Sequence, residues 1–307
     1  CTCKKSGALH VRTSVMLRPT LLPLFLSLGF LSATGFAQTA ELARCEAAHQ
    51  SLKQARNEED RLALHTQLQD LWASALETGA ILDVDWGTWD QAVVDLGEGD
   101  ERLVVFTWNV ELDSRLQAYG GWVAHAAPSS ALGYEWTLLT HDPEVDTRDL
   151  SRMHRHDRWQ GGLYYDGVLT YDKTTPVYTL LAWDGADALT TSKRVETVEP
   201  RNGRVRFGSP RFELPEGLQK RVVMTYADAV QATLKVESEP VRIVMDRIAP
   251  EDPSFRGQHA FYGPTLSYDG LEWKKGRWHW VSDVAVRNSE GNSPRKYRDP
   301  AARSRRN

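Results

Sequence analysis

The chain predicts a mainly β protein: an antiparallel sandwich or barrel-like domain preceded by an N-terminal helical hairpin. Three observations predict it. Beyond residue 100, short runs of strand-forming residues recur between turn formers such as Asp172-Lys173, Asn202-Gly203, Pro215-Glu216-Gly217 and Lys275-Gly276. Even spacing with short connections signals hairpins and meanders, not strands alternating with helices. Three triplets share one shape: Tyr165-Asp166-Gly167, Trp183-Asp184-Gly185 and Tyr268-Asp269-Gly270. Each joins a strand-forming aromatic to Asp-Gly, which suits a tight turn or a bulge. Before residue 80, by contrast, apolar residues recur at steps of three and four.

The elements follow in order. Residues 1–15 precede Met16 and read as a non-native upstream extension. Met16 opens a leader with Arg18, an apolar run over 21–33 and a small-x-small site at Gly35-Phe36-Ala37. Residues 16–37 are therefore expected to be a signal peptide, and the protein exported, periplasmic or extracellular. The run falls short of the roughly 20 apolar residues of a membrane span. No later stretch is more apolar, so no span is expected after cleavage. Cys45 is then the only mature cysteine, and no intramolecular disulfide is possible.

Residues 38–80 form the helical region. Leu42, Cys45, Ala48, Leu52 and Ala55 make one stripe; Leu64, Leu68, Leu71, Trp72 and Ala75 make a second. Asn57 is placed to cap the second helix and Gly79 to end it. The β domain covers 81–286. Trp86 and Trp89 are expected to plug apolar surface. Residues 103–110 are apolar on both faces, which marks a central strand. Further runs at 121–126, 134–139, 162–171, 177–183, 193–198, 204–212, 221–226, 231–237, 241–246, 266–273 and 278–283 supply the rest. The only helix expected after residue 150 is a short one near 147–155. Residues 287–307 are basic and rich in Arg, Pro, Ser and Asn, and are expected to be a disordered tail.

The net charge is −4, and the body between leader and tail is distinctly acidic. A nucleic-acid surface is therefore not expected. No glycine-rich phosphate loop, Gly-x-Ser-x-Gly elbow or metal-ligand spacing stands out, so neither a cofactor nor a metal is expected. His154-x-His156 is interleaved with Arg152, Arg155 and Arg158, which repel a cation. Cys45 and His49 share a helix face, a weak signal for a thiol nucleophile.

Carboxylates are plentiful: Asp166, Asp184, Glu196, Asp246 and Asp269. Two of them facing one cleft would define a hydrolase, with Asp184 and Asp246 as the leading pair. Eleven tryptophans form the stronger clue. Trp278 and Trp280 share a strand face by period two. Exposed Trp and Tyr beside acids make platforms for sugars or peptides. The candidate ligand-binding residues are thus Trp183, Asp184, Asp246, Tyr262, Tyr268, Asp269, Trp278 and Trp280. The expected function is an exported, non-catalytic binding or envelope-associated protein with a Trp/Tyr-rich β surface, its partner a glycan, a peptide or an envelope component. The alternative is an exported hydrolase using paired carboxylates.

Several blocks occur in a characteristic order: Phe106-Thr107-Trp108-Asn109, Gly161-Gly162-Leu163-Tyr164-Tyr165, Tyr178-Thr179-Leu180-Leu181-Ala182-Trp183-Asp184-Gly185, Phe207-Gly208-Ser209-Pro210-Arg211-Phe212, Arg221-Val222-Val223-Met224-Thr225-Tyr226, Ile243-Val244-Met245-Asp246-Arg247-Ile248-Ala249-Pro250 and Phe261-Tyr262-Gly263-Pro264, then Ser267-Tyr268-Asp269-Gly270. In this order, over residues 103–288, the chain resembles a family of uncharacterised exported β-rich proteins from Gram-negative bacteria. The resemblance implies a signal peptide, a short helical region and a β-rich domain. It carries no assigned activity, cofactor or catalytic residue, and the basic tail lies outside it.

Overall fold

A computed structural model describes residues 33–78, 81, 84–201 and 203–285. The upstream extension, residues 16–32 of the expected leader, Gly79, Asn202 and the basic tail lie outside the described residues.

Helices α1 (Ala33–Gln54) and α2 (Glu58–Glu77) form the hairpin. α1 begins at Ala33, upstream of Leu42 where the apolar stripe starts. Asn57 caps α2 as expected: its backbone is extended, and its side-chain oxygen accepts from the Asp60 amide at 2.8 Å. Glu58, Glu59 and Asp60 complement the positive end of the helix dipole. Leu68, Leu71, Trp72, Ala75 and Leu76 are buried, so the Leu/Trp stripe is a docking face.

The strands are β1 (Ala92–Leu96), β2 (Leu103–Glu111), β3 (Gln117–Ala126), β4 (Tyr134–Thr140), β5 (His154–Arg155), β6 (Leu163–Asp172), β7 (Thr175–Asp184), β8 (Thr190–Arg201), β9 (Arg204–Phe207), β10 (Phe212–Leu214), β11 (Gly217–Gln219), β12 (Arg221–Ala227), β13 (Leu234–Ser238), β14 (Val241–Pro250), β15 (Tyr262–Lys274) and β16 (Arg277–Val281). They form three sheets: β1-β2-β3-β4; β5-β9-β8-β7-β6, with β12 also pairing β8; and β11-β10-β16-β15-β14-β13. We call them the helix-covered, middle and outer sheets. Among the described residues every strand pair is antiparallel except β10 with β16, where Phe212 aligns with Trp278 in parallel.

The core shows how the layers stack. Val104, Phe106 and Trp108 of β2 pack against Trp72, Leu76 and Trp86 under the helices. Leu103 and Val105 of the same strand pack on Tyr164, Leu180 and Val198 of the middle sheet. β2 is therefore the central, two-sided strand that its composition predicts. The other face of the middle sheet, through Leu181, Val195 and Val222, packs on Ile243, Leu271 and Trp278 of the outer sheet. The order of layers is helices, helix-covered sheet, middle sheet, outer sheet. The middle sheet is covered on both faces.

Two expectations need correction. No helix forms near 147–155: that stretch is a chain of turns ending in β5. Asp146 and Asp149 accept from the amides of Arg148 and Ser151, two residues on, so each aspartate closes an Asx turn where a helix would need an i to i+4 ladder. The triplets divide: Tyr165 sits at a bulge within β6 and Trp183-Asp184-Gly185 leads from β7 into the β7–β8 hairpin connection, both as expected, but Tyr268-Asp269-Gly270 lies within β15 and makes no turn.

Candidate functional site

The eight residues singled out by composition fall in separate places. Trp278 is fully buried in the outer core, its Nε1 donating to Thr179 Oγ1 of the middle sheet at 3.0 Å. Trp183 is buried as well. Both were expected on a ligand-facing strip, and both are interior. Trp278 and Trp280 do share a face, but it is the inner face of the outer sheet, where Trp280 is partly buried against the core. The physical reason is simple: in a stack of sheets the large rings fill the space between layers.

Asp246, Tyr268, Asp269 and Tyr262 all lie on the β14–β15 ladder, where Asp246 faces Tyr268 and, at the far end, Pro250 faces Tyr262. Asp184 does not join them. It ends β7 in the middle sheet, accepting from Tyr119 Oη at 2.7 Å and from the Ala186 amide at 3.0 Å. Asp246 accepts from the Thr233 amide at 2.6 Å, not from Arg247 or Arg221.

The triplet aspartates act as staples. Asp166 accepts from the Gly167 amide and, across to the outer sheet, from the Val236 amide at 3.1 Å. Asp184 ties the middle sheet to Tyr119 of β3. Asp269 receives both Arg247 Nε and Nη2, at 3.0 and 2.6 Å, and the Asp283 amide at 3.3 Å. The glycines beside them serve close approach: none lies in left-handed backbone. A Cβ on Gly167 would stand 2.8 Å from the Thr179 carbonyl oxygen, and one on Gly270 2.9 Å from the Val284 side chain.

The densest polar chemistry lies between the helix-covered and middle sheets, at Glu196. Arg194 and Glu196 are two apart on β8 and so share the face turned to the helix-covered sheet. Arg221 is the direct partner of Glu196 on β12. Glu196 Oε1 accepts from Arg194 Nε at 2.8 Å and Tyr164 Oη at 2.7 Å; Oε2 accepts from Arg221 Nε at 3.2 Å; Gln160 Nε2 reaches both oxygens. Burial alone would raise the Glu196 pKa, but the two guanidiniums and the Tyr164 hydroxyl bring it down to about 2. Arg194 is held more firmly protonated by the same carboxylate, against the effect of burial. Burial and Asp184 push the Tyr119 hydroxyl well above its ordinary range. Glycines make room for the two guanidiniums: a Cβ on Gly162 would fall 2.9 Å from Arg194 Nη2, and one on Gly208 2.6 Å from Arg221 Nη2.

Sequence reasoning named Glu196 only as one acid among several and missed Gln160, Arg194 and Tyr119. The available signal was the alternation Arg194-Val195-Glu196, which puts two charges on one face of a strand with apolar surroundings.

Cys45 and His49 are neutral and enclosed. Burial pushes the Cys45 thiol up to about 12, with Glu41 adding to the effect. His49, four residues on, is held down at about 3 by burial and by Lys53, and its Nε2 accepts from Trp72 Nε1 at 3.0 Å. Neither state favours a thiolate–imidazolium pair. His154 and His156 do not share a strand face, because β5 ends at Arg155 and His156 opens a 3-10 turn. No group of three metal-ligating side chains occurs among the described residues. No helix among them is long and apolar enough to cross a membrane.

One surface stands out by exposure. Beyond the pair Pro250–Tyr262, residues 251–261 form a tip closed by the Glu251 amide donating to the Phe261 carbonyl at 2.9 Å. There Phe255 stacks on Phe261 with ring centroids 4.2 Å apart, and His259 lies against Tyr262. Phe261 is 42 % exposed. Just behind the tip the register shifts between Asp246 and Ile248, so that Arg247 alone opposes Thr265, Leu266 and Ser267. Leu266, at the apex of this bulge, is wholly exposed. Compared with protein-family models, with curated proteins and with solved structures, the chain matches none.

Proposed function

We propose that this chain is an exported, non-catalytic binding or envelope-associated protein, and that the β14–β15 tip is the surface it offers. One observation carries the reading: the candidate acids are engaged within the fold, while apolar groups project at the tip. Asp166, Asp184, Glu196, Asp246 and Asp269 each accept hydrogen bonds from neighbouring elements. A general acid or nucleophile needs a carboxylate facing substrate. Phe261 at the tip and Leu266 just behind it, by contrast, present the apolar faces that sugars and apolar peptide side chains stack upon. Export rests on the leader at 16–37.

The test is a thermal-shift screen of the mature chain against glycans and peptides, repeated with Phe261→Ser and Leu266→Ser. A ligand that raises the melting temperature of the parent and fails to raise that of both variants supports the reading. A ligand whose shift survives in both variants, or hydrolysis of any glycan or peptide that Asp184→Asn abolishes, contradicts it.

A further inference from the structure

Three side chains around Glu196 each keep one polar atom with no hydrogen-bond partner among the described residues: Arg221 Nη2, Gln160 Oε1 and His154 Nε2. The residues are 0 %, 1 % and 6 % exposed, so bulk solvent does not satisfy them. Two of the three belong to side chains bonded to one carboxylate, and the third lies within its electrostatic reach. Gln160 Nε2 bonds both Glu196 oxygens, and its Oε1 is attached to the same carbon. Arg221 Nε bonds Glu196 Oε2, and its Nη2 shares the guanidinium carbon. His154 pairs with Phe207, next to Gly208, whose bare Cα is what makes room for Arg221 Nη2. Arg221, Glu196 and Arg194 all act electrostatically on its ring.

The chemistry of the three atoms specifies what completes them. A guanidinium N–H needs an acceptor, an amide oxygen needs a donor, and an imidazole nitrogen serves either way according to tautomer. An anion would suit Arg221 but face Gln160 Oε1 and the Glu196 carboxylate; a cation would meet the reverse problem. Charge is already shared out: Glu196 lies between the two guanidiniums, Asp184 acts on Arg194, and Asp149 is paired electrostatically with Arg221. What remains is a small neutral molecule that donates and accepts at once. We propose that this seam between the helix-covered and middle sheets binds internal water, held by Arg221 Nη2, Gln160 Oε1 and His154 Nε2. Buried waters of this kind make about three hydrogen bonds to polar groups that the protein leaves unpaired.

A high-resolution crystal structure of the full chain tests this. Ordered water density within hydrogen-bond distance, about 2.7–3.2 Å, of at least two of the three atoms is the expected result. Density on fewer than two, or side chains turned so that protein groups satisfy these atoms, overturns it. In solution, a side-chain-labelled sample is expected to show a water cross-peak to the Gln160 amide at neutral pH. A Gln160 amide resolved without that cross-peak overturns it equally.

Discussion

Arg194 Nε donates to Glu196 Oε1 at 2.8 Å with both side chains sealed from solvent, at 2 % and 0 % exposure. Arg221 closes the same carboxylate from the neighbouring strand. Such a triad is costly to assemble and costlier to break, because removing one partner leaves an uncompensated buried charge. Glu196→Gln is therefore expected to lower the unfolding free energy by about 3–5 kcal/mol, read from urea denaturation at neutral pH. A loss within error of zero would mean that the triad is solvated.

The same carboxylate sets a pH dependence. Its folded pKa, about 2, lies below the ordinary 4.5. Its stabilisation is thus complete above pH 4.5 and is lost as the pH falls through that range toward 2. The histidines act in a higher window. His49 is held at about 3 and His154 at about 4, both below the ordinary 6.5, and His65, His125 and His141 are lowered too, burial leading in every case. The unfolded chain binds these protons first, so stability is expected to fall from pH 6.5 downward. Each fully neutral histidine contributes a slope of about 1.4 kcal/mol per pH unit. His49→Phe should reduce the slope between pH 6 and 4 by about one proton's worth; an unchanged slope would place His49 in contact with water.

Glycine positions separate crowding from backbone strain. Gly161 has φ +79, and a Cβ there would stand 2.2 Å from the Tyr119 ring; Gly203 has φ +66 with nothing within 4 Å. Gly203→Ala is expected to cost about 1–2 kcal/mol, the left-handed backbone penalty alone. Gly161→Ala should cost clearly more. Equal losses in chemical denaturation would show that Tyr119 does not pack on this turn.

Cys45 supplies a chemical check on the helical hairpin. It lies fully buried on the inner face of α1 and its thiol is pushed up to about 12. Alkylation by a maleimide, mapped to Cys45 by peptide mass spectrometry, is expected only in denaturant. Rapid native labelling at neutral pH would mean that α1 does not dock as described.

Much of the architecture was legible in the residues. β2 announced two covered faces through Val104, Phe106 and Trp108 alternating with Leu103 and Val105. Asn57 announced its cap because side-chain capping is a local event. What stayed hidden was non-local. Nothing in Trp183 or Trp278 says whether a ring meets solvent or another sheet, since period two marks a shared face without saying what covers it. The Asp-Gly triplets suggested turns because Asp-Gly suits turns; in the fold, partners far along the chain (Tyr119, Val236 and Asp283) take up their carboxylates. The exposed tip was visible only as Tyr262, because the bulge that lifts Leu266 depends on how β14 and β15 pair.

The central claim is that the middle sheet is enclosed on both faces, with Glu196 at its polar seam. Amide hydrogen exchange followed by mass spectrometry tests it most directly. β7 and β8 are expected to exchange slowest, at the rate of global unfolding, well after the edge strand β13. Exchange of β7 and β8 as fast as β13 would contradict it.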